Sequence, residues 1–224
     1  ILKIWRKYMI TLNILILLLL MSITSCGMQE PQTITISAHS SFSSHRWSNS
    51  SFPLNIAVDQ DRYVEGSQDR AALDFAAYRW NRALGFEAII LNYRDISPTL
   101  TYTDMNQYGK DHLYTTNEPD LSPDHFMKND VMSLAMTVYT YRTDTNEILH
   151  GDIFFNRHLD ISTNVVGEYD LESVYIHELG HFLGLSHTEE EEDYDSVMTP
   201  SIVPSQLKRE LTEGDITRIR NLYD

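Results

Sequence analysis

Residues 177 to 187 read His177-Glu178-Leu179-Gly180-His181-Phe182-Leu183-Gly184-Leu185-Ser186-His187, and Ser196-Val197-Met198-Thr199-Pro200 follows shortly after. Two histidines four apart project from one face of an α-helix, one turn above the other, so His177 and His181 can grip a single ion from a rigid element. Gly184 lets the backbone leave that helix through a left-handed conformation closed to most side chains. The reversal brings His187 back toward the same point. Three neutral nitrogens with one open position is the way catalytic zinc is held, water taking the fourth place. Glu178, next to the first ligand, can face that water instead of the metal. The pattern predicts a centre that makes hydroxide near neutral pH. A structural zinc site is a poorer match, because such sites are closed by four ligands and no fourth is evident.

The elements around this stretch give an α+β layout. Pro53 to Val58 alternates apolar and polar residues and predicts a strand. Asp69 to Leu84 carries Ala72, Phe75, Ala76, Trp80 and Leu84 at helical spacing, with Gly85 as the stop. Phe86 to Leu91 predicts a second strand, apolar on both faces as in a covered sheet. A short strand is expected near Leu113-Tyr114. Leu134 to Tyr141 and Ile148 to Phe155 flank the turn-rich Thr143-Asp144-Thr145-Asn146 and read as a hairpin. No repeat and no second domain are evident, and Phe52 to Asp224 is the length of one domain with one core.

Taken together, 177–187 and Met198 resemble the metzincin clan of zinc endopeptidases, and within it the matrixin-like group. Tyr169-Asp170-Leu171-Glu172-Ser173-Val174 leads into the first His as the active-site helix of matrixins does. Leu211-Thr212-Glu213-Gly214-Asp215-Ile216 through Asn221-Leu222-Tyr223 resembles the family's closing helix. Leu134-Ala135 and Gly151 to Asn156 stand where the family has its substrate-lining edge strand and the next strand. The resemblance implies a metzincin catalytic domain: a twisted mixed sheet with an antiparallel edge strand, and long helices including the zinc-binding one.

It also implies roles. His177, His181 and His187 would bind one catalytic zinc, and Glu178 would take a proton from the activated water and pass it to the leaving amine. Met198 would be the Met-turn residue, an apolar floor under the ligands. Pro200, Ser201 and Ile202 would wall the pocket for the side chain after the scissile bond; the family usually has Tyr where Ile202 stands. Ala135, Met136 and Thr137 would lie along an extended peptide substrate, bound by strand addition near Ala135 to Tyr139. The family's second, structural zinc uses histidines that would fall at Met136 and Phe154, so a single zinc is expected. Asp152 matches a calcium-binding position, but Glu147-Ile148-Leu149-His150 replaces the Gly-rich loop before it, and calcium is not predicted. The expected activity is endopeptidase cleavage of protein or peptide substrates. The alternative is an inactive metzincin-fold lipoprotein used in binding or adhesion, against which the intact Glu178 argues.

Residues 1–25 read as a lipoprotein signal: Lys3, Arg6 and Lys7 precede an apolar run from Ile14 to Leu20, ended by Ile23-Thr24-Ser25-Cys26. That end resembles a bacterial lipobox, which implies a lipid on Cys26 and a membrane partner through it. The expected location is outside the cytoplasm, at the outer membrane if the source has two membranes. Cys26 is the single cysteine, so neither an intrachain disulfide nor latency through a cysteine plug is expected. Residues 26–51, rich in Ser, Thr and Gln, read as a flexible tether, leaving 52–224 as the catalytic domain. A formal charge of −15 disfavours nucleic acid as a partner. Glu189 to Glu192 with Asp193 and Asp195 forms an acidic rim beyond the third His, suited to Lys or Arg in nearby substrate positions.

Overall fold

A computed structural model describes residues 45–94, 111–115, 127–128, 131–156, 159–164, 166–189 and 192–224. All belong to the unit Gln32–Asp224. The signal, Cys26 and most of the tether lie outside the described residues, as do Glu190 and Glu191 of the acidic rim.

The alternating stretch after Pro53 forms β2 (Leu54–Asp59), and β3 (Ile89–Arg94) pairs with it in parallel. Between them runs α1 (Gln68–Leu84), capped by the Ser67 hydroxyl, which accepts from the Arg70 N–H, and ended by Gly85 at φ 81°. The strand before Leu91 starts three residues later than its apolar run predicts. Asn81 of α1 is the reason: its carbonyl accepts from the N–H groups of Ala88 and Ile89 and its amide donates to Ile89 O. The Ala88 N–H is thus taken by the helix, while its carbonyl accepts from the Leu54 N–H at the start of β2. β3 pairs with β2 alone among the described strands and only Ile89 in it is fully buried, so it is an edge strand and not the covered one expected. Phe75, expected on the buried stripe of α1, is 55% exposed; Leu73, Ala76, Ala77 and Trp80 carry the packing.

β4 (Asp111–Thr115) pairs in parallel with β2 and with β8 (Glu147–Phe155), and β7 (Ala135–Tyr141) pairs antiparallel with β8. The main sheet therefore runs β3-β2-β4-β8-β7. The hairpin between β7 and β8 turns at Asn146, which sits at φ 58°, a conformation asparagine tolerates better than most residues. Two small pairs stand apart, β5 (Met127–Lys128) with β6 (Val131–Met132) and β9 (Ile161–Ser162) with β10 (Tyr169–Asp170).

The folded part begins earlier than the Ser-rich composition indicates. β1 (Arg46–Trp47) pairs with the start of β8, and Trp47 is 3% exposed. Its indole donates to Phe182 O, and its own N–H donates to Tyr223 OH. The end of the tether is corrected accordingly: by residues 45–47 the chain is part of the domain. Composition pointed the other way because one buried Trp outweighs several exposed serines.

Two helices complete the unit. α2 (Leu171–Phe182) is buried on nearly every side, between the helix-facing side of β7–β8 and α1. Phe155 meets Tyr175 edge-on at 4.9 Å, and the Trp80 indole donates to Ile176 O. α3 (Glu213–Tyr223) opens with a capping box: Thr212 accepts from the Asp215 N–H, and the Asp215 carboxylate accepts from the Thr212 N–H.

Candidate active site

α2 starts at Asp170, whose carboxylate caps the helix by accepting from the Ser173 N–H and hydroxyl, 3.0 and 2.6 Å away. Burial would raise its pKa, but the paired guanidinium bonds from Arg209 and those from Ser173 hold the carboxyl below its ordinary value. About two turns later the helix presents His177, then His181. It ends at Phe182, and Gly184 turns the chain back at φ 97°.

That turn brings the three imidazoles together. His181 Nε2 lies 2.9 Å from His177 Nε2 and 3.2 Å from His187 Nε2. His177 Nδ1 stands 2.8 Å from Val197 O, and His181 Nδ1 stands 2.7 Å from Leu185 O. A carbonyl can only accept, so these two contacts place the ring proton of His177 and of His181 on Nδ1 and leave their Nε2 lone pairs facing one another. Such lone pairs repel unless a cation lies between them. Zinc bonded to nitrogen at 2.0–2.1 Å in a tetrahedron sets its ligands about 3.3 Å apart, close to the spacing found here. The donor set fits zinc, and among the described residues it is the one His, Cys, Asp and Glu group gathered to hold a metal.

Met198 is fully buried, and its sulfur sits over Gly180, where a Cβ would collide with it and with the Trp80 ring. The turn carrying Met198 is pinned from α3: Asp215 accepts from the Ser196 hydroxyl at 2.5 Å and from the Val197 N–H at 3.1 Å. Since Val197 O backs His177, Asp215 is linked to that imidazole through one residue.

A cavity of about 240 Å³ opens beside the imidazoles, with His177, Glu178 and His187 on its wall. Ala135 lines it, and so do Pro200, Ser201 and Ile202. Ser173, Val174, Thr199 and Lys208, which sequence reasoning did not single out, line it as well. Met136 does not. Strand side chains alternate between faces, and Met136 pairs with Phe154 on the face away from α2, both buried. The two positions where the family's second zinc would need histidines are therefore a packed Met and Phe. Asp152, on that same face, is buried and contacts His150 Nε2 at 3.0 Å.

Thr137 has a different place from the substrate-lining one expected. It lies on the α2 side of β7, outside the cavity wall, and its hydroxyl donates to Glu178 Oε2 at 2.6 Å. Burial pushes the Glu178 carboxyl up to about 7, and the Thr137 bond opposes that rise. A hydroxyl donor stabilises the ionised carboxylate, so removing it raises the pKa further. If an ionised Glu178 is required for turnover, Thr137→Val moves the acid limb of kcat/KM to higher pH by about one pH unit. A profile that does not move, or moves to lower pH, would show that the hydroxyl does not tune the carboxylate.

The family model described as Matrixin matches residues 46–224. A segment of the chain is 41% identical over 80 residues to metalloendoproteinase 2-MMP of Arabidopsis thaliana, covering 36% of this chain and 19% of that protein. Another alignment is 48% identical over 59 residues to metalloendoproteinase 1 of Glycine max, covering 26% of this chain and 18% of that protein. The alignments thus span about a fifth of the length of these curated relatives. Among solved structures, metalloproteinase-II from Bacteroides fragilis is similar at a TM-score of 0.40 and 13% identity, over 77% of this chain and 54% of that one. With the family match running from β1 to the closing helix, this chain belongs to the matrixin family.

Proposed function

We propose that this protein is a zinc-dependent endopeptidase acting on extended peptide chains, with His177, His181 and His187 as zinc ligands and Glu178 as general base. The observation that carries the reading is the convergence of three imidazole Nε2 atoms beside a buried carboxyl, with His177, His187 and Glu178 bordering one cavity. When bound, zinc supplies Lewis acidity, polarising a carbonyl and making water acidic near neutral pH. Glu178, held through Oε2 by Thr137, keeps its other oxygen for the proton that water gives up, then hands that proton to the departing amine.

The substrate is taken as a strand. Among the described residues β7 pairs with β8 alone, which leaves the backbone groups of its other edge for an extended peptide. The residue after the cut then enters the cavity between Ala135 and Pro200 to Ile202. The buried Met136 and Phe154 support one zinc per chain. The signal at 1–25 and a lipid on Cys26 would hold the enzyme at a bacterial membrane with the catalytic domain outside the cytoplasm.

The test is incubation of the purified protein with an unfolded protein and with peptides blocked at both ends. Cleavage of both is expected, lost on chelation and restored by zinc, with one zinc bound per chain. Activity confined to free-ended peptides would exclude endopeptidase action. A protein that binds zinc yet cuts nothing would leave the adhesive, inactive reading in its place.

A further inference from the structure

The three ligands are not supported alike. His177 and His181 stand on α2, where helical hydrogen bonds hold their backbone, and a carbonyl backs each Nδ1. His187 stands beyond Gly184 in a stretch without helix or strand, residues 185–189. Backbone bonds reach it at Leu185, whose N–H donates to Gly180 O, and at Thr188, whose N–H donates to Met198 O, and side chains grip it between them.

One side chain grips it at three consecutive residues. Arg218, on α3, donates from one terminal nitrogen to Ser186 O at 2.7 Å, to Ser186 Oγ at 3.2 Å and to His187 O at 3.3 Å. Its other terminal nitrogen donates to the Thr188 hydroxyl. A guanidinium is planar and rigid, so acceptors bound to its two ends are held in fixed relation to each other. Thr188 in turn donates its N–H to Met198 O, and its hydroxyl lies 3.3 Å from Ser196 Oγ. Arg218 lies one helical turn after Asp215, which holds Ser196 and Val197, so neighbouring positions on one face of α3 serve the ligand loop and the Met turn.

We propose that Arg218 is a positioning residue for the metal centre, holding the 186–188 backbone so that His187 is already in place when the ion arrives. The inference rests on the zinc reading given above, and it predicts an effect on metal retention rather than on fold alone. Without the guanidinium the loop samples other positions, and closing the third bond must then restrict it.

The experiment compares the full chain with Arg218→Ala, Arg218→Lys and Arg220→Gln. Arg220 is on the same helix but donates to Ala83 O, away from the ligand loop, and serves as the control for loss of an α3 anchor. The readouts are the rate of zinc release to excess chelator and the denaturation midpoint of each metal-free protein. Arg218→Ala should release zinc about 10- to 100-fold faster than the parent, the usual range for lost support of a ligand. Arg218→Lys, a point donor that cannot span the acceptors, should fall between them. Arg220→Gln should keep the parental rate even where its midpoint drops as far. Parental release from Arg218→Ala, or release that follows the midpoint equally in Arg218→Ala and Arg220→Gln, would overturn the proposal. A parent that holds no zinc would instead remove the metal reading itself.

Discussion

Glu178→Gln is expected to lower kcat by about 10³-fold, within the range for loss of a general base, while zinc stays bound. Glutamine keeps the shape of the side chain and can still accept from Thr137, so the cavity wall and the hydroxyl partner are retained. What it loses is the ability to take and return a proton. Because Glu178 is not one of the three nitrogens gathered at the centre, zinc content should equal that of the parent. Cleavage within tenfold of the parent, at full zinc occupancy, would contradict the assigned base.

The same substitution has a second, pH-dependent signature in the metal-free protein. Burial raises the Glu178 pKa from 4.5 to about 7, so between those values the folded state binds more protons than the unfolded one. Stability from this group is therefore fully present below pH 4.5 and is lost as pH rises through 7. Glutamine cannot ionise and escapes the loss. Glu178→Gln should match the parent near pH 4.5 and exceed it at pH 8, by at most about 3 kcal/mol. Denaturant midpoints of both metal-free proteins at the two pH values decide it. An advantage that shrinks as pH rises would mean the carboxyl is not held up by burial.

Among the described glycines, Gly184→Ala should be the most damaging change, costing about 3 kcal/mol and weakening zinc binding with it. Two effects add. Gly184 sits at φ 97°, where an L side chain is strained. A Cβ built there also runs into the carbonyl oxygen of His45, backbone that cannot rotate aside, and stands 3.3 Å from Leu222. To admit the methyl, either the 45–47 strap or the turn leading to His187 has to move. Gly66→Ala separates the terms, since Gly66 has φ 82° but nothing within 4 Å of its added Cβ. The excess loss of Gly184→Ala over Gly66→Ala, read from thermal or denaturant unfolding, measures the collision. No excess, with zinc held normally, would show that the strap yields freely.

Much of the centre was legible from residue order because it is built from local rules. A four-residue interval stacks His177 on His181, and a glycine two residues past the helix permits the return to His187. Alternation predicted β2, and the turn-rich link at 143–146 predicted the β7–β8 hairpin, for the same reason: both are properties of neighbours along the chain. The misreadings also have local causes. The Asn81 clasp delayed β3, and the pleat turned Met136 away from the cavity into which its neighbour Ala135 faces. Serines around one buried Trp hid β1.

By itself, the order of residues determined the candidate metal centre: which nitrogens converge, which carboxyl accompanies them, and the helix that carries that carboxyl and two of the three imidazoles. Tertiary structure alone decided what holds them there. Thr137 reaches Glu178 from 41 positions away, Arg218 reaches Ser186 from 32, and Trp47 reaches the end of α2 from 135. Spacing of three or four residues carries the first kind of information because one helical turn enforces it. Contacts closed across such loops follow no period, and they become visible only when sheet and helices have packed.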